Sequence, residues 1–160
     1  MSQTPTALIA LLEQAEAARD EAIAQFENSR KAHEGAQKQL QSLHDFRQQY
    51  QERWQHQFRQ AGGMEIMRCY QDFMTRMGEA ESEQRRRTEH AAMYAERCRA
   101  MLIERERKVA AVSRLIERRV KEQSLKEQRR DQKATDEMAA RLSSSGGGLM
   151  SARSVTSSSF

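Results

Sequence analysis

Residues 58–67 read FRQAGGMEIM, and the Ala61-Gly62-Gly63 step at their centre decides the fold. A glycine pair caps a helix and reverses the chain without a Cβ penalty. On both sides lie long stretches of helix-forming residues whose apolar positions recur at spacings of 3 and 4. Between residues 6 and 142 there is no proline, and only Gly35 and Gly78 join the pair as glycines. The sequence therefore predicts helix 1 over about 5–60, a turn at 61–63 and helix 2 over about 64–142. So short a connection makes the helices antiparallel neighbours. Thr4-Pro5 supplies an expected start, with threonine as N-cap and proline in the first turn. The fold class is all-α: a long antiparallel two-helix coiled-coil hairpin. Such a hairpin leaves no room for a catalytic cleft, so function belongs on its faces and ends.

Composition agrees. The chain has 160 residues, 31% of them charged and only 6% aromatic, which is the profile of a coiled coil rather than of a compact domain. Net charge is +4 from 27 basic and 23 acidic residues. The two signs are interspersed, so most charges should pair along exposed helix faces. No apolar run is long enough to span a bilayer, and residues 1–12 lack the basic start of a signal peptide. The expectation is a cytoplasmic protein. Cys69 and Cys98 lie on one predicted helix, about 43 Å apart at 1.5 Å per residue. They cannot bond to each other and read as small buried apolar residues.

The hairpin can be tested by numbering. With the turn at Ala61-Gly62, residues that meet should have numbers summing to about 124. Phe58 then meets Ile66, Trp54 meets Tyr70, and Tyr50 meets Met74 with Phe73 beside it. Phe26 meets Cys98, Ile23 meets Met101, Ala15 meets Val109 and Leu12 meets Val112. Ala80 and Tyr94 belong to the same inward stripe. Apolar meets apolar along most of the length. Phe46 falls opposite Gly78, a large residue against a small one. Helix 1 runs out opposite Arg119, which leaves residues 120–142 of helix 2 as an overhang without an intrachain partner. Residues 143–160, SSSGGGLMSARSVTSSSF, are expected to form a disordered Ser/Gly-rich tail.

No phosphate loop, dinucleotide fingerprint or zinc spacing is present. His33, His44, His56 and His90 are scattered, and none has a second ligand at helical spacing. The expectation is no metal, no cofactor and no enzyme. Arg85-Arg86-Arg87 and Arg129-Arg130 are short basic runs without interleaved aromatics, so they read as solvated faces rather than a nucleic-acid site. The most informative surface lies near the turn. There Leu40, Leu43, Phe46, Tyr50 and Trp54 on helix 1, with Phe73 and Met77 on helix 2, make a stripe wider than a two-stranded seam can bury. An exposed apolar patch of this kind marks a docking or oligomer contact.

Three stretches carry a family resemblance: QLQSLHDFRQQY (39–50), YQDFMTRM (70–77) and RRDQKATDEMAAR (129–141). With the glycine turn, they resemble the FliJ family of the bacterial flagellar export apparatus, over about residues 5–142. The resemblance implies a stalk-like coiled coil that is a monomer when free. Its implied partners are the hexameric flagellar export ATPase, the cytoplasmic domain of the membrane export gate, and export chaperones. It implies no nucleic acid, no membrane insertion and a peripheral place at the cytoplasmic face of the inner membrane. Matched by motif position, the gate-binding residues would be Gln39, Leu43, Phe46, Tyr50, Phe73, Met77 and Ala80, with Gln84 at the edge. The ATPase-binding residues would be Arg129, Arg130, Gln132, Lys133, Asp136 and Glu137. The alternatives are the equivalent stalk of a virulence type III secretion system and a generic coiled coil that self-assembles through parallel dimers.

Overall fold

The computed structural model describes residues 4–60 and 62–146. Two helices account for them: α1, Thr4–Gln60, and α2, Met64–Gly146. They pack against each other as a helical hairpin. Of the expected turn, Ala61 lies outside the described residues, as do the side chains of Thr4 and Pro5. The first turn of α2 is anchored by Met67 N–H donating to the Gly63 carbonyl at 3.2 Å.

The chain divides into two units, Met1–Val112 and Ser113–Phe160. Within the first, the antiparallel pairing follows the expected numbering. Trp54 packs on Tyr70 with ring centroids 5.2 Å apart, and Tyr50 on Phe73 at 4.0 Å. Further along, Thr88 Oγ1 lies 3.2 Å from the Ala36 carbonyl. Phe58 meets Tyr70 edge-on at 6.4 Å.

The seam repeats every seventh residue. On α1 one line is Ala15, Ala22, Ser29, Ala36, Leu43 and Tyr50, and the other is Leu12, Arg19, Phe26, His33, Leu40, Arg47 and Trp54; all are buried or half-buried. On α2 the lines are Tyr70, Met77, Gln84, Ala91, Cys98, Arg105 and Val112, and Met74, Glu81, Thr88, Ala95, Leu102 and Val109. A strict seven-residue repeat keeps one stripe of each helix facing its partner, which is the coiled-coil condition.

The repeat corrects several expectations. Ile23, Ile66, Ala80, Tyr94 and Met101 are exposed. Ile23, Ala80, Tyr94 and Met101 each sit one position off a seven-residue line, and so flank the seam instead of filling it. Cys98 is buried as expected, but Cys69 is exposed, because its neighbour Tyr70 takes the inward position. Phe46 does not fill a notch at Gly78. A Cβ added at Gly78 would meet nothing within 4 Å, and by the repeat Phe46 and Gly78 lie on opposite flanks of the seam. The serine tail does not begin at Ser143. The helix continues to Gly146, with the hydroxyls of Ser143, Ser144 and Ser145 donating to the carbonyls of Ala140, Arg141 and Leu142 at 2.9, 2.9 and 3.2 Å. Each hydroxyl thus returns to a carbonyl of the preceding turn, a local bond that lets serine sit in a helix. The rest of the expected tail, 147–160, lies outside the described residues.

In the Ser113–Phe160 unit, every residue from Glu117 to Ser145 is exposed. Some surface charges pair along the helices, for example Glu83 with both Arg86 and Arg87 at 3.3 Å, but among the described residues these are a minority, against the expectation for most of them.

Gly35 and Gly78 both lie inside helices with open space where a Cβ would stand. Substituting either with alanine removes an entropic cost of about 1 kcal/mol and adds no clash. Urea unfolding of Gly78→Ala should show a gain of that size, and a loss would mean that the open space is needed.

Candidate functional site

The aromatic ladder of α1 is built by helical spacing. Phe46, Tyr50, Trp54 and Phe58 recur every fourth residue, so each ring lies over the next. Phe46 and Tyr50 stack at 6.2 Å with planes 24° apart, Tyr50 and Trp54 lie 5.9 Å apart, and Trp54 and Phe58 5.8 Å apart. Tyr50 is the junction, since it also meets Phe73 across the seam. Phe46 is the end of the ladder and remains 49% exposed.

Beside Phe46 a groove of about 570 Å³ opens between Lys38, Gln39, Ser42, Leu43 and Gln84. Gln84 is buried, and its amide donates to the Ala36 carbonyl at 3.1 Å and to Gln39 Oε1 at 3.2 Å. Of the gate-binding residues expected from the motifs, Gln39, Leu43 and Phe46 line this groove, together with the edge residue Gln84. Tyr50, Phe73 and Met77 are half-buried, and Ala80 is exposed. In the seven-residue repeat, Leu43, Tyr50, Met77 and Gln84 lie on seam lines, while Gln39, Phe46, Phe73 and Ala80 occupy the flanking position of the same side. All of them thus belong to one face of the hairpin.

Behind this face is a polar layer that an apolar-stripe reading misses. Glu81 is only 7% exposed, yet it is ionisable. Its carboxylate accepts from Arg47 Nη1 at 2.6 Å and faces His44 Nδ1 at 3.1 Å. An ionised carboxylate has no proton to give, so the ring nitrogen is the donor. These two hydrogen bonds, Arg47 first, hold the Glu81 carboxyl below its ordinary value of 4.5, against the opposing effect of burial. The expectation that His44 stands alone is thereby corrected: its partner lies across the seam, where adjacency in sequence gives no clue. Spacing could have found the layer, because Glu81 falls seven residues after Met74 and seven before Thr88.

The six residues expected to bind the ATPase lie in the Ser113–Phe160 unit. At 100° per residue, Gln132, Asp136, Arg129, Lys133, Glu137 and Arg130 fall within an arc of about 160° on one side of α2. Gln132 Nε2 donates to Asp136 at 3.4 Å. The opposite side carries Ala134, Met138 and Leu142, the last two 68% and 69% exposed. Asp131 and Glu127 fall on that same side, so the segment carries charge all round with exposed apolar residues among the charges.

Among the described residues, no group of three or more His, Cys, Asp or Glu side chains is placed to hold a metal ion. No described helix is long and apolar enough to cross a membrane.

Fold and faces define a class: a helical hairpin of coiled-coil type that offers surfaces rather than a cleft. A family profile described as the flagellar FliJ protein matches residues 4–148. The chain belongs to that family, and so to the components of the flagellar export apparatus, a protein-transport system. No curated protein and no solved structure among those compared matches it.

Two outcomes follow from the geometry. Tyr50→Ala removes three ring contacts and should cost about 2 kcal/mol, whereas Phe46→Ala should cost under about 1 kcal/mol, as thermal unfolding followed by helicity will show. The depressed Glu81 pKa stabilises the fold fully above the ordinary glutamate value, and this contribution is lost as pH falls through the depressed one. Between pH 7 and pH 3 the unfolding temperature should therefore drop less for Glu81→Gln than for the unaltered chain.

Proposed function

We propose that this chain is a stalk of the flagellar export apparatus that links the export ATPase hexamer to the cytoplasmic domain of the membrane export gate. It would favour assembly of the ATPase ring, couple the ring's nucleotide state to protein export, and escort emptied export chaperones. Its place would be the cytoplasmic face of the inner membrane at the flagellar base, held there by partners. In this reading the gate contacts the face formed by Gln39, Leu43, Phe46, Tyr50, Phe73, Met77 and Ala80. The ATPase contacts the charged arc of Arg129, Arg130, Gln132, Lys133, Asp136 and Glu137.

The observation that carries the reading is the half-exposed ring of Phe46. A large aromatic at the rim of an apolar groove is the composition of a binding hot spot, and its removal costs the fold little. A rod with two functional faces acts by differential contact: it favours whichever partner state it touches better.

The test uses purified gate cytoplasmic domain and purified ATPase. Phe46→Ala should weaken gate binding at least about fivefold, the effect of losing a hot-spot residue, with helicity and ATPase binding unchanged. A chain ended after Val120 should lose the ATPase and keep the gate. Full gate affinity in Phe46→Ala, or undiminished ATPase stimulation by the shortened chain, contradicts the corresponding half of the proposal.

A further inference from the structure

The seam of the Met1–Val112 unit poses a problem of pairing. Away from the turn, its seven-residue lines hold several residues of nearly equal shape: Ala15, Ala22, Ser29 and Ala36 on α1, and Ala91, Ala95 and Cys98 on α2. Slide one helix along the other by seven residues and Ala95 still meets a small residue, Ala36 or Ala22 in place of Ser29. The same lines would also allow α1 or α2 to pair in parallel with its copy in a second chain. The glycine turn opposes sliding only by the modest penalty of drawing Gly62 and Gly63 into a helix.

We infer that Glu81, held between Arg47 and His44, is the residue that selects this register and this partner. The argument rests on what Glu81 would meet otherwise. In the observed pairing it has a cation at 2.6 Å and an imidazole at 3.1 Å. Shifted by seven residues one way, it faces Gln37 and Leu40; shifted the other way, Gln51 and Trp54. Neither pair offers a cation, and a buried carboxylate without one is strongly disfavoured. In a parallel pair of identical helices, seam residues face their own copies. Glu81 would then face Glu81, and Arg19, Arg47 and Arg105 would each face arginine. Only an antiparallel pairing of α1 with α2 in the observed register joins Glu81 to Arg47.

The neighbouring polar contacts are less selective. Gln84 and Thr88 reach the Ala36 backbone carbonyl, and every residue has a carbonyl. Among the polar contacts the discrimination therefore resides in the charges, which act beside the ring pairs Trp54–Tyr70 and Tyr50–Phe73 near the turn. The inference concerns pairing alone, and its outcome is independent of any partner of the export apparatus.

The experiment uses the full chain with Cys69 and Cys98 replaced by alanine and spin labels at Gln41→Cys and Ser82→Cys, exposed positions on the two helices at the same level. The parent should give one narrow interspin distance in a monomer. Arg47→Glu sets two carboxylates against each other. It should produce a second distance, consistent with a slide of about 10 Å for seven residues, or a dimer in sedimentation. Adding Glu81→Arg restores an opposite pair and should restore the single distance and the monomer. Because Arg47→Glu could simply open the hairpin, Arg47→Leu with Glu81→Leu is the second arm. It leaves no buried charge, should keep full helicity, and should populate the shifted register or the dimer. If the leucine pair retains one parental distance and monomer mass, the inference is overturned. Failure of the reversed charge pair to recover the parental distance overturns it as well.

Discussion

Two helices side by side can shield only a narrow stripe of each from water. That constraint governs the whole hairpin. Among the described residues no large side chain is fully buried, and the most enclosed hydrophobic positions include the small residues Ala15 and Ala22. Seam rings such as Tyr50 and Trp54 keep part of their surface in water. An apolar residue one step off the seven-residue lines, such as Tyr94 or Met101, has no second layer to enter and faces solvent. Stability must therefore accumulate along the length from many small contributions, and surface apolar residues are unavoidable wherever the stripe widens.

The same narrowness explains why polar groups are admitted to the seam. In a thick core a carboxylate such as Glu81 would suffer heavy desolvation. Here the partners that neutralise it keep much of their own contact with water, the His44 and Arg47 side chains being 59% and 41% exposed. Ser29, the most enclosed polar residue at 3% exposure, is satisfied locally by donating to the Phe26 carbonyl at 2.8 Å. Polar seam residues thus cost little here and can differentiate the stretch of the repeat whose members are small and alike.

Much of the hairpin could be read from the residues. The diglycine step and the 3-and-4 spacing gave two helices, and the numbering rule placed Trp54 on Tyr70. The widening of the stripe at Phe46 was legible too, and its ring is left half-exposed. Glu81 and Thr88 escaped notice, and Gln84 entered only at the edge of the implied gate site, since a search for apolar periodicity discards polar side chains before asking where they point. Cys69 was misplaced for the converse reason: a residue type that is usually buried was assigned inward without testing its position in the repeat. The helix beyond Leu142 was hidden by serine composition, which favours loops on average but here returns its hydroxyls to the preceding turn.

The two thiols give this molecule an internal gauge. Cys69 stands in solvent while Cys98 is enclosed midway along the seam, on the same helix and in the same chain. A thiol reagent in limited amount modifies the first at once and reaches the second only when the helices part. The ratio of the two modification rates thus reports the breathing of the seam, referenced to the reagent's own reactivity and obtained without altering a single residue.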